Sequence, residues 1–302
     1  MKKCPIPVSC FLLRASRNMT ILELIQKTTE FFEKKDIDEP RLQAELLLAH
    51  VLGVKRLQLY LQFERELTEA EMQPLREMVR RRADREPLQY ILGTTEFYGL
   101  EFKTDKRALV PRRETEHVIE AALGLFPDKN APIDAIDLGT GSGILAITLC
   151  LLLPNSRWTA TDASAESLAL SWENAGKRGV EGRIRLVESF WWNNIGADEK
   201  FDLVVSNPPY IKNGDIRHLA PELKDHEPAG ALDGGADGLD AYRAILSGAA
   251  AHAKPGAKLI VEIGFDQGPS LRELFSKHGL KSGPCVKDLQ GHDRVMVASL
   301  GH

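Results

Sequence analysis

The sequence predicts an α/β protein, in which a parallel sheet covered by helices on both faces is joined to a small all-α domain. Residues 19–86 show helical periodicity throughout. Residues 87–111 contain the prolines and glycines typical of a β-hairpin linker. From residue 112 to 302, short apolar runs typical of strands alternate with helical patterns. Such alternation predicts that ligands bind beyond the carboxyl ends of the strands.

Two capping boxes mark the first and third helices of the amino-terminal domain. Thr20 and Glu23 precede an amphipathic stretch, and Thr68 and Glu71 repeat the pattern. In a capping box each side chain accepts a hydrogen bond from the backbone N–H of the other residue, which satisfies donors that a helix start leaves free. We therefore expect one helix to begin after Thr20 and another near Thr68.

The second and third helices carry further start and stop signals. Asp38 is expected to cap the second helix, Pro40 suits its first turn, and Gly53 is expected to end it. Pro74 lies inside the third helical pattern. Because proline has no N–H to donate, we expect that helix to start later or to kink.

The larger domain contains seven predicted strands and five predicted helices. We expect strands at residues 132–137, 157–162, 183–187, 201–206, 257–263, 283–287 and 294–299. We expect helices at residues 114–125, 143–152, 164–178, 239–252 and 267–278. This order of elements is the basis of the α/β assignment.

Composition and charge argue against several classes of protein. The 302 residues carry a formal net charge of -4, which is unlike a protein that coats nucleic acid with a broad basic surface. The four cysteines, Cys4, Cys10, Cys150 and Cys285, show no metal-ligand spacing and suit a reducing compartment. No apolar run approaches the ~20 residues that a membrane helix needs. We expect a cytoplasmic protein that binds no metal.

Residues 1–18 differ from the rest of the chain. Lys2 and Lys3 precede a short apolar stretch that resembles a weak signal peptide. However, Pro5 and Pro7 interrupt this stretch, and no clear small-residue cleavage site follows. We therefore expect a disordered extension, with export as the alternative.

A glycine-rich loop follows the first strand of the larger domain. The loop consists of Gly139, Thr140, Gly141, Ser142 and Gly143, and Asp137 lies at the end of the strand before it. Glycines permit a tight turn and let a ligand lie against backbone N–H groups at a helix start. Asp162 ends the second strand, where an acidic side chain can accept both hydroxyls of a ribose. These residues indicate a nucleoside-containing cofactor, although a dinucleotide or a turn without a ligand would fit them too.

The fourth strand leads directly into Asn207, Pro208, Pro209 and Tyr210 at the carboxyl edge of the sheet. Methylation of an amide requires that its weakly nucleophilic nitrogen be held facing a methyl group about 3 Å away. The side-chain oxygen of Asn207 and the carbonyl of Pro208 could accept the two hydrogens of an NH2 group and fix its plane. Pro209 would stiffen that carbonyl, and Tyr210 could lie on the flat target group. A rigid turn without function is the alternative.

Motifs spread along the chain from about residue 20 onward carry a family resemblance. They are Arg85–Gly93, Glu96–Phe97 with Gly99, Leu109–Glu116, Asp137–Gly143, Ser206–Ile211, Glu227–Pro228, Leu232, Gly235, Asp237–Leu239, Glu262–Gly264 with Gln267, and Asp288, Gly291 and Arg294. In this order they resemble the motifs of the bacterial release-factor glutamine methyltransferases, the HemK/PrmC family. The chain departs from the family at Arg113, where a proline is typical.

The resemblance implies a Rossmann-like class I methyltransferase fold, with a seven-stranded sheet whose last strand is antiparallel. It also implies S-adenosyl-L-methionine as cofactor, bound by the glycine loop, Asp137 and Asp162 and lying beside Asn207. Trp191 would pack on the adenine ring, although Trp191 and Trp192 on their own also fit an ordinary core.

The same resemblance implies a substrate and a product. The target would be the glutamine of the Gly-Gly-Gln motif in class 1 peptide release factors, with N5-methylglutamine and S-adenosyl-L-homocysteine as products. The helical domain, residues 19–86, would help to hold this protein partner. We further expect a monomer that acts on neither membranes nor nucleic acid.

Other functions share some of these features. An adenine-amine methyltransferase acts on a similar NH2 group with a similar turn, but it must flip its base and usually has a basic face. A glutamine methyltransferase of a large-subunit ribosomal protein is a second alternative. A non-catalytic scaffold is a third, and it would have no use for both Asn207 and the glycine loop. An oxidoreductase is excluded because the turn after the fourth strand has no role in hydride transfer.

Three charged features have no assigned role. Residues 233–238 resemble a calcium loop but lack two of its ligands, so we exclude calcium binding. Glu227 and Asp237 could order a loop over the substrate, or they could belong to a solvated acidic loop. The basic run from Arg76 to Arg85 could meet an acidic partner, but on a helix such a run is typically a solvated face.

Overall fold

The computed structural model describes residues 19–300, which divide after Leu92 into two compact units. The extension expected at residues 1–18 lies outside this range. None of the helices within residues 19–300 combines the length and apolar character needed to cross a membrane. The first unit is helical and the second is built on a sheet.

The first unit packs short helices around one apolar core. Its described helices are α1 (Ile21–Glu33), α2 (Pro40–Leu52), α3 (Arg56–Leu59), α4 (Glu69–Ala83) and α5 (Leu88–Leu92). Leu24, Phe32, Leu47, Leu75 and Val79 are among the buried side chains of this core. Both predicted capping boxes are present, ahead of α1 and ahead of α4.

The start of α2 differs from the prediction. Its N-cap is Glu39, which lies in the left-handed region at φ 45°, and no side chain caps the helix. Asp38, the expected cap, instead accepts a hydrogen bond from Gln43 Nε2 through its backbone carbonyl at 2.6 Å. Pro40 occupies the start of the helix, where its missing N–H needs no partner, so the absent cap is tolerated. Gly53 ends α2 in the left-handed region, as expected.

The helix α4 begins directly after Thr68 and contains Pro74, so the later start expected from this proline is wrong. The capping box fixes the helix start, and the buried Leu75 and Val79 anchor the turns that follow. These interactions outweigh the backbone bond that Pro74 cannot form.

The basic run of α4 is largely neutralised by nearby carboxylates. The pairs are Arg76–Glu69, Arg80–Glu77 and Arg81–Glu86. Arg82 is buried and donates to Gln43 Oε1. Within the described residues, the run therefore forms a salt-bridged helix surface.

Only part of the segment predicted as a hairpin linker, residues 87–111, is a hairpin. Its strands are β1 (Thr94–Phe97) and β2 (Leu100–Lys103), which pair in antiparallel register. They are joined by Tyr98 and Gly99, both with positive φ, which matches the twist of paired strands. Residues Leu88–Leu92, which belong to the segment predicted as a hairpin linker, form α5, because Pro87 suits a helix start and its carbonyl accepts the first helical bonds.

The second unit is a mixed sheet with helices on both faces. Its remaining strands are β3 (Ile133–Leu138), β4 (Ser156–Asp162), β5 (Ile184–Glu188), β6 (Phe201–Ser206), β7 (Ala253–Glu262), β8 (Lys281–Ser282), β9 (Val286–Lys287) and β10 (Asp293–Ser299). Its helices are α6 (Glu116–Leu125), α7 (Ile144–Leu152), α8 (Ala165–Arg178), α9 (Asn213–Ile216), α10 (Pro221–Lys224), α11 (Asp240–Ala249) and α12 (Gly268–Lys277). The strand order is β5-β4-β3-β6-β7-β10-β8. Strands β3 to β7 are parallel and β10 is antiparallel, so the predicted Rossmann-like fold is confirmed.

This sheet has eight strands where seven were predicted. The single strand expected at residues 283–287 is replaced by β8 and β9, which both pair with β10. Gly283 and Pro284 lie between them. Proline has no N–H to add to a ladder of hydrogen bonds, so the edge strand is interrupted there.

The sheet brings several strand ends to one edge. Along β3 and β6, Ala135, Leu203 and Val205 belong to one apolar cluster, whereas Ile136 and Val204 belong to the cluster on the opposite face. This alternation is that of strands buried on both faces. Since β3, β4 and β6 run parallel, their carboxyl ends meet at the same edge, which is where the candidate site lies.

Candidate functional site

A cavity of about 370 Å³ opens at the carboxyl edge of β3, β4 and β6. Its lining comes from four parts of the second unit: the glycine loop, the turns after β4 to β6, residues 107–115 and residues 228–231. The predicted site residues that line it are Gly139, Thr140, Gly141, Ser142, Asp162, Trp191, Asn207 and Pro209. Asp137, Gly143, Pro208 and Tyr210 are not part of the lining.

The glycine loop needs its glycines for two different reasons. Gly139, Gly141 and Gly143 all have positive φ, a conformation that is costly for other residues. At Gly143 a Cβ atom would also lie 2.4 Å from Ser171 Oγ and 2.8 Å from Ile147 Cδ1. Gly143 is therefore required by helix packing, whereas Gly139 and Gly141 bring the backbone to the cavity.

Asp137 supports the loop from behind. Its Oδ2 accepts hydrogen bonds from Thr140 Oγ1 at 2.7 Å and from the backbone N–H of Ala146 at 3.3 Å. The side chain is completely buried, and burial raises the pKa of Asp137 to about 7. This geometry favours a role in holding the loop over direct contact with a ligand.

Asp162 lies at the end of β4 and lines the cavity. Its Oδ2 accepts the backbone N–H of Gly141 and its Oδ1 accepts that of Ser164, each at 2.9 Å. Burial raises the pKa of this carboxyl. Ser164, not Asp162, provides the side-chain cap of α8, so Asp162 is not used as a cap. Each carboxylate oxygen has a further lone pair that could accept a ligand hydroxyl.

The adjacent tryptophans have different environments. Trp192 is buried, donates from Nε1 to the carbonyl of Ile245 at 2.8 Å, and stacks on His252. Trp191 has a positive φ of 52°, lines the cavity, and has its ring 3.8 Å from the Cβ position of Gly139. Trp192 is therefore a core residue, whereas Trp191 stands beside the glycine loop. A left-handed tryptophan is strained, and such strain is common at functional sites.

Asn207 is held in a defined orientation at the cavity. Its Nδ2 donates to Thr115 Oγ1 at 3.0 Å. Within residues 19–300 no hydrogen bond is made to its Oδ1, so this acceptor is available to a ligand. The residue before it, Ser206, donates from Oγ to the carbonyl of Leu138 at 2.6 Å and so ties the end of β6 to the end of β3.

Tyr210 is directed away from the cavity lining. Its hydroxyl donates to Glu262 Oε1 at 3.3 Å, and its carbonyl accepts from Gln267 Nε2 at 3.1 Å. Burial, together with the neighbouring Glu262 carboxyl, raises the pKa of Tyr210 above its ordinary value. The predicted stacking of its ring on a target group stays a prediction.

Two segments flanking the cavity are joined by an ion pair whose carboxylate is buried. Glu227, whose side chain is 1% exposed, pairs with Arg112 and accepts the backbone N–H of Val110 at 3.4 Å. Burial raises the pKa of Glu227, and the Arg112 guanidinium opposes this shift. Glu227 is therefore not part of a solvated acidic loop. Asp237, in contrast, is half-exposed and pairs with Arg243.

Two family models match the chain: the PrmC N-terminal domain over residues 23–93 and the methyltransferase small domain over residues 123–223. The release factor glutamine methyltransferase of Geobacter sulfurreducens is 40% identical over 93% of this chain and 97% of its own length. That of Chlorobaculum tepidum is 44% identical over 85% of this chain and 89% of its own.

This chain belongs to the release factor glutamine methyltransferase family. The resemblance predicted from the motifs is thereby confirmed. The fold is also that of the hMettl16 catalytic domain in complex with MAT2A 3′UTR hairpin 6, at a TM-score of 0.54 over 78% of this chain and 84% of that chain. With 15% identity, that likeness concerns the fold alone.

Several residues at the site of this family member were not predicted from their own chemistry. Arg112, Thr115 and Phe190 line the cavity, and Glu262 is buried. Glu262 had a signal in the sequence, since it is a carboxylate at the end of an apolar strand. Thr115 had none, because its partner Asn207 is 92 residues away in the chain.

Proposed function

We propose that this protein transfers a methyl group from S-adenosyl-L-methionine to the side-chain amide nitrogen of the glutamine in the Gly-Gly-Gln motif of class 1 peptide release factors. The observation that carries the proposal is the orientation of Asn207. Because Thr115 accepts a hydrogen bond from its NH2 group, its Oδ1 is left as the acceptor that a ligand in the cavity could use. Family membership supports the same substrate, since the relatives above are named release factor glutamine methyltransferases.

The residues of the turn would orient the target amide. An amide nitrogen is a weak nucleophile because its lone pair is delocalised, so its plane must be fixed before the methyl group can be accepted. Asn207 Oδ1 and the Pro208 carbonyl would accept its two hydrogens, and they would favour the positive charge that develops on the nitrogen. No base is needed at the outset, because the proton becomes acidic only after the methyl group has been transferred.

The cavity residues fit the expected cofactor. A volume of about 370 Å³ lies within the range of small-molecule sites. Asp162 would accept ribose hydroxyls, the backbone at Gly139 and Gly141 would approach the cofactor closely, and Trp191 would pack on the adenine ring. When bound, S-adenosyl-L-methionine supplies an electrophilic methyl group, and S-adenosyl-L-homocysteine is the product.

The remaining proposals concern the partner and the context. We propose that the helical domain, residues 19–86, contacts the release factor. We also propose that residues 112–302 form the catalytic domain. We further propose a cytoplasmic monomer whose substrate is protein.

The decisive experiment offers competing substrates to one enzyme preparation. The protein is incubated with methyl-labelled S-adenosyl-L-methionine and, separately, with an unmethylated class 1 release factor, large-subunit ribosomal proteins or DNA. Mass spectrometry should locate the label on the glutamine of the Gly-Gly-Gln motif. Label only on a ribosomal-protein glutamine would support a ribosomal-protein methyltransferase, and label only on adenine would support an adenine-amine methyltransferase. A release factor whose glutamine is replaced by glutamate should take up none.

A further inference from the structure

One fully buried carboxyl lies beneath the Asn207–Tyr210 turn. Glu262 is the last residue of β7, which pairs with β6, the strand that leads into the turn. Its side chain is 2% exposed. Its Oε1 accepts the Tyr210 hydroxyl at 3.3 Å. Its Oε2 is buried and makes no hydrogen bond within the described residues. A carboxyl that is removed from water at such a cost requires an explanation.

Thr115 links this carboxyl to Asn207. The Thr115 hydroxyl accepts from Asn207 Nδ2 at 3.0 Å, so its own hydrogen must be donated elsewhere. Glu262 is the acidic group that interacts with Thr115: burial raises the pKa of Glu262 to about 7, and Thr115 and Tyr210 oppose this rise by favouring the ionised form. Thr115 is itself 0% exposed, so water cannot replace either partner.

The direction of these bonds decides what Asn207 can do. When Glu262 is ionised it can only accept, so it favours the Thr115 hydroxyl with its hydrogen toward the carboxylate and its oxygen toward the NH2 group of Asn207. Asn207 must therefore turn its NH2 group toward Thr115 and its Oδ1 toward the cavity. Glu262 also accepts a hydrogen bond from the Tyr210 hydroxyl. It therefore contacts the last residue of the turn directly and acts on the first, Asn207, through Thr115.

We propose that Glu262 and Thr115 are positioning residues for methyl transfer, which together fix the orientation of the Asn207 amide so that its oxygen, and not its nitrogen, faces the acceptor amide. If Asn207 were flipped, its NH2 group would face the NH2 group of the substrate, and two donors cannot bond. This inference rests on the proposed function, and it adds two positioning residues, of which Thr115 lines the cavity and Glu262 does not.

The test compares variants that keep or remove a single hydrogen bond. Thr115→Val removes the hydroxyl at nearly constant volume, and Thr115→Ser restores it. We expect Thr115→Val to lower kcat by about 10-fold or more, because it leaves a donor unpaired and Asn207 free to flip. Thr115→Ser should retain most of the parental kcat. The Kd for S-adenosyl-L-methionine, measured by calorimetry, should stay within about 2-fold in both.

Glu262→Gln tests the carboxyl itself. In the parental protein the hydrogens of Thr115 and Tyr210 both point to the Glu262 carboxylate. Glutamine would bring an NH2 donor to this position, so one of the two hydroxyls would have to turn its hydrogen away and accept instead. A fall in kcat of about 10-fold is expected. Glu273→Gln is the matched control, because Glu273 is an exposed glutamate on α12 that pairs with Lys277. It should leave kcat unchanged.

A readout without substrate separates this inference from the proposed function. In 15N-labelled protein, the side-chain NH2 signals of Asn207 are identified by their loss in Asn207→Ala. They should shift in Thr115→Val and Glu262→Gln and stay in place in Thr115→Ser. Unshifted signals, or Thr115→Ser as inactive as Thr115→Val, would overturn the inference. A parental protein that fails to methylate release factor, while these shifts occur, would refute the proposed function only.

Discussion

Replacement of Gly143 by alanine should damage packing more than ligand binding. The new Cβ would lie 2.4 Å from Ser171 Oγ and 2.8 Å from Ile147 Cδ1, and the backbone would keep a φ of +86°. The left-handed conformation costs about 1–2 kcal/mol for a residue with a Cβ, and overpacking costs about 1–3 kcal/mol. The free energy of unfolding should therefore fall by about 2–5 kcal/mol, which lowers the Tm of a unit of this size by on the order of 10 °C.

Gly141→Ala is the matched control for this prediction. Gly141 has a φ of +56°, but the nearest atom to an added Cβ is Ala108 Cβ at 3.9 Å. Only the conformational cost of about 1–2 kcal/mol applies, yet the methyl group would enter the proposed cofactor site. Scanning calorimetry should show the larger fall in Tm for Gly143→Ala, and titration with S-adenosyl-L-methionine the larger loss of affinity for Gly141→Ala. Equal Tm values for the two variants would refute the packing argument.

Three further predictions follow from the site and its surroundings. Asn207→Ala should lower kcat at least about 100-fold, because the acceptor for a hydrogen of the target amide is lost. The Kd for S-adenosyl-L-methionine should change little. Near-parental turnover in a methylation assay would contradict the role of Asn207. Arg113→Pro should raise the free energy of unfolding by about 0.5 kcal/mol in a urea titration. Arg113 opens a 3-10 turn, and Arg112 before it already has the extended conformation that a following proline requires, at φ -106° and ψ 146°. A decrease in the free energy of unfolding would refute this prediction. Burial raises the pKa of Asp137 to about 7, so the folded state holds a proton that the unfolded state releases near pH 4, and stability should decline as the pH rises between these values. Asp137→Asn should reduce that slope of the unfolding free energy against pH, and an unchanged slope would exclude Asp137 as its source.

The sequence was sufficient to predict the elements whose cause is local. The capping boxes at Thr20 and Thr68, the turn of α2 at Gly53 and the alternation of strands and helices all depend on neighbouring residues. The strand–loop–helix order also placed the glycine loop and Asn207 at the same sheet edge. These features could be read because periodicity and capping act over a few residues.

The features that the sequence did not reveal depend on distant partners. Glu227 is one of several acidic residues in a loop, and only the fold brings Arg112 to it from 115 residues away. Leu88–Leu92 is too short for periodicity to distinguish a helix from an extended segment. Asp38 has a side chain suited to capping, but Glu39 occupies the N-cap position of α2, in the left-handed region. The local backbone conformation decides this position, and the residue types alone do not indicate it.

The hydrogen bond between Ser206 and Leu138 has a consequence for how substrate range can change in this family. The strands β3 and β6 are neighbours, with Asp137 opposite Val205. The proposed binding sites for the methyl donor and the acceptor amide therefore follow adjacent strands of one sheet. Their spacing is set by backbone dimensions and not by mobile loops. The family could therefore accept new substrates through changes in the surface around the cavity opening, while the distance between the methyl donor and the acceptor nitrogen stays constant.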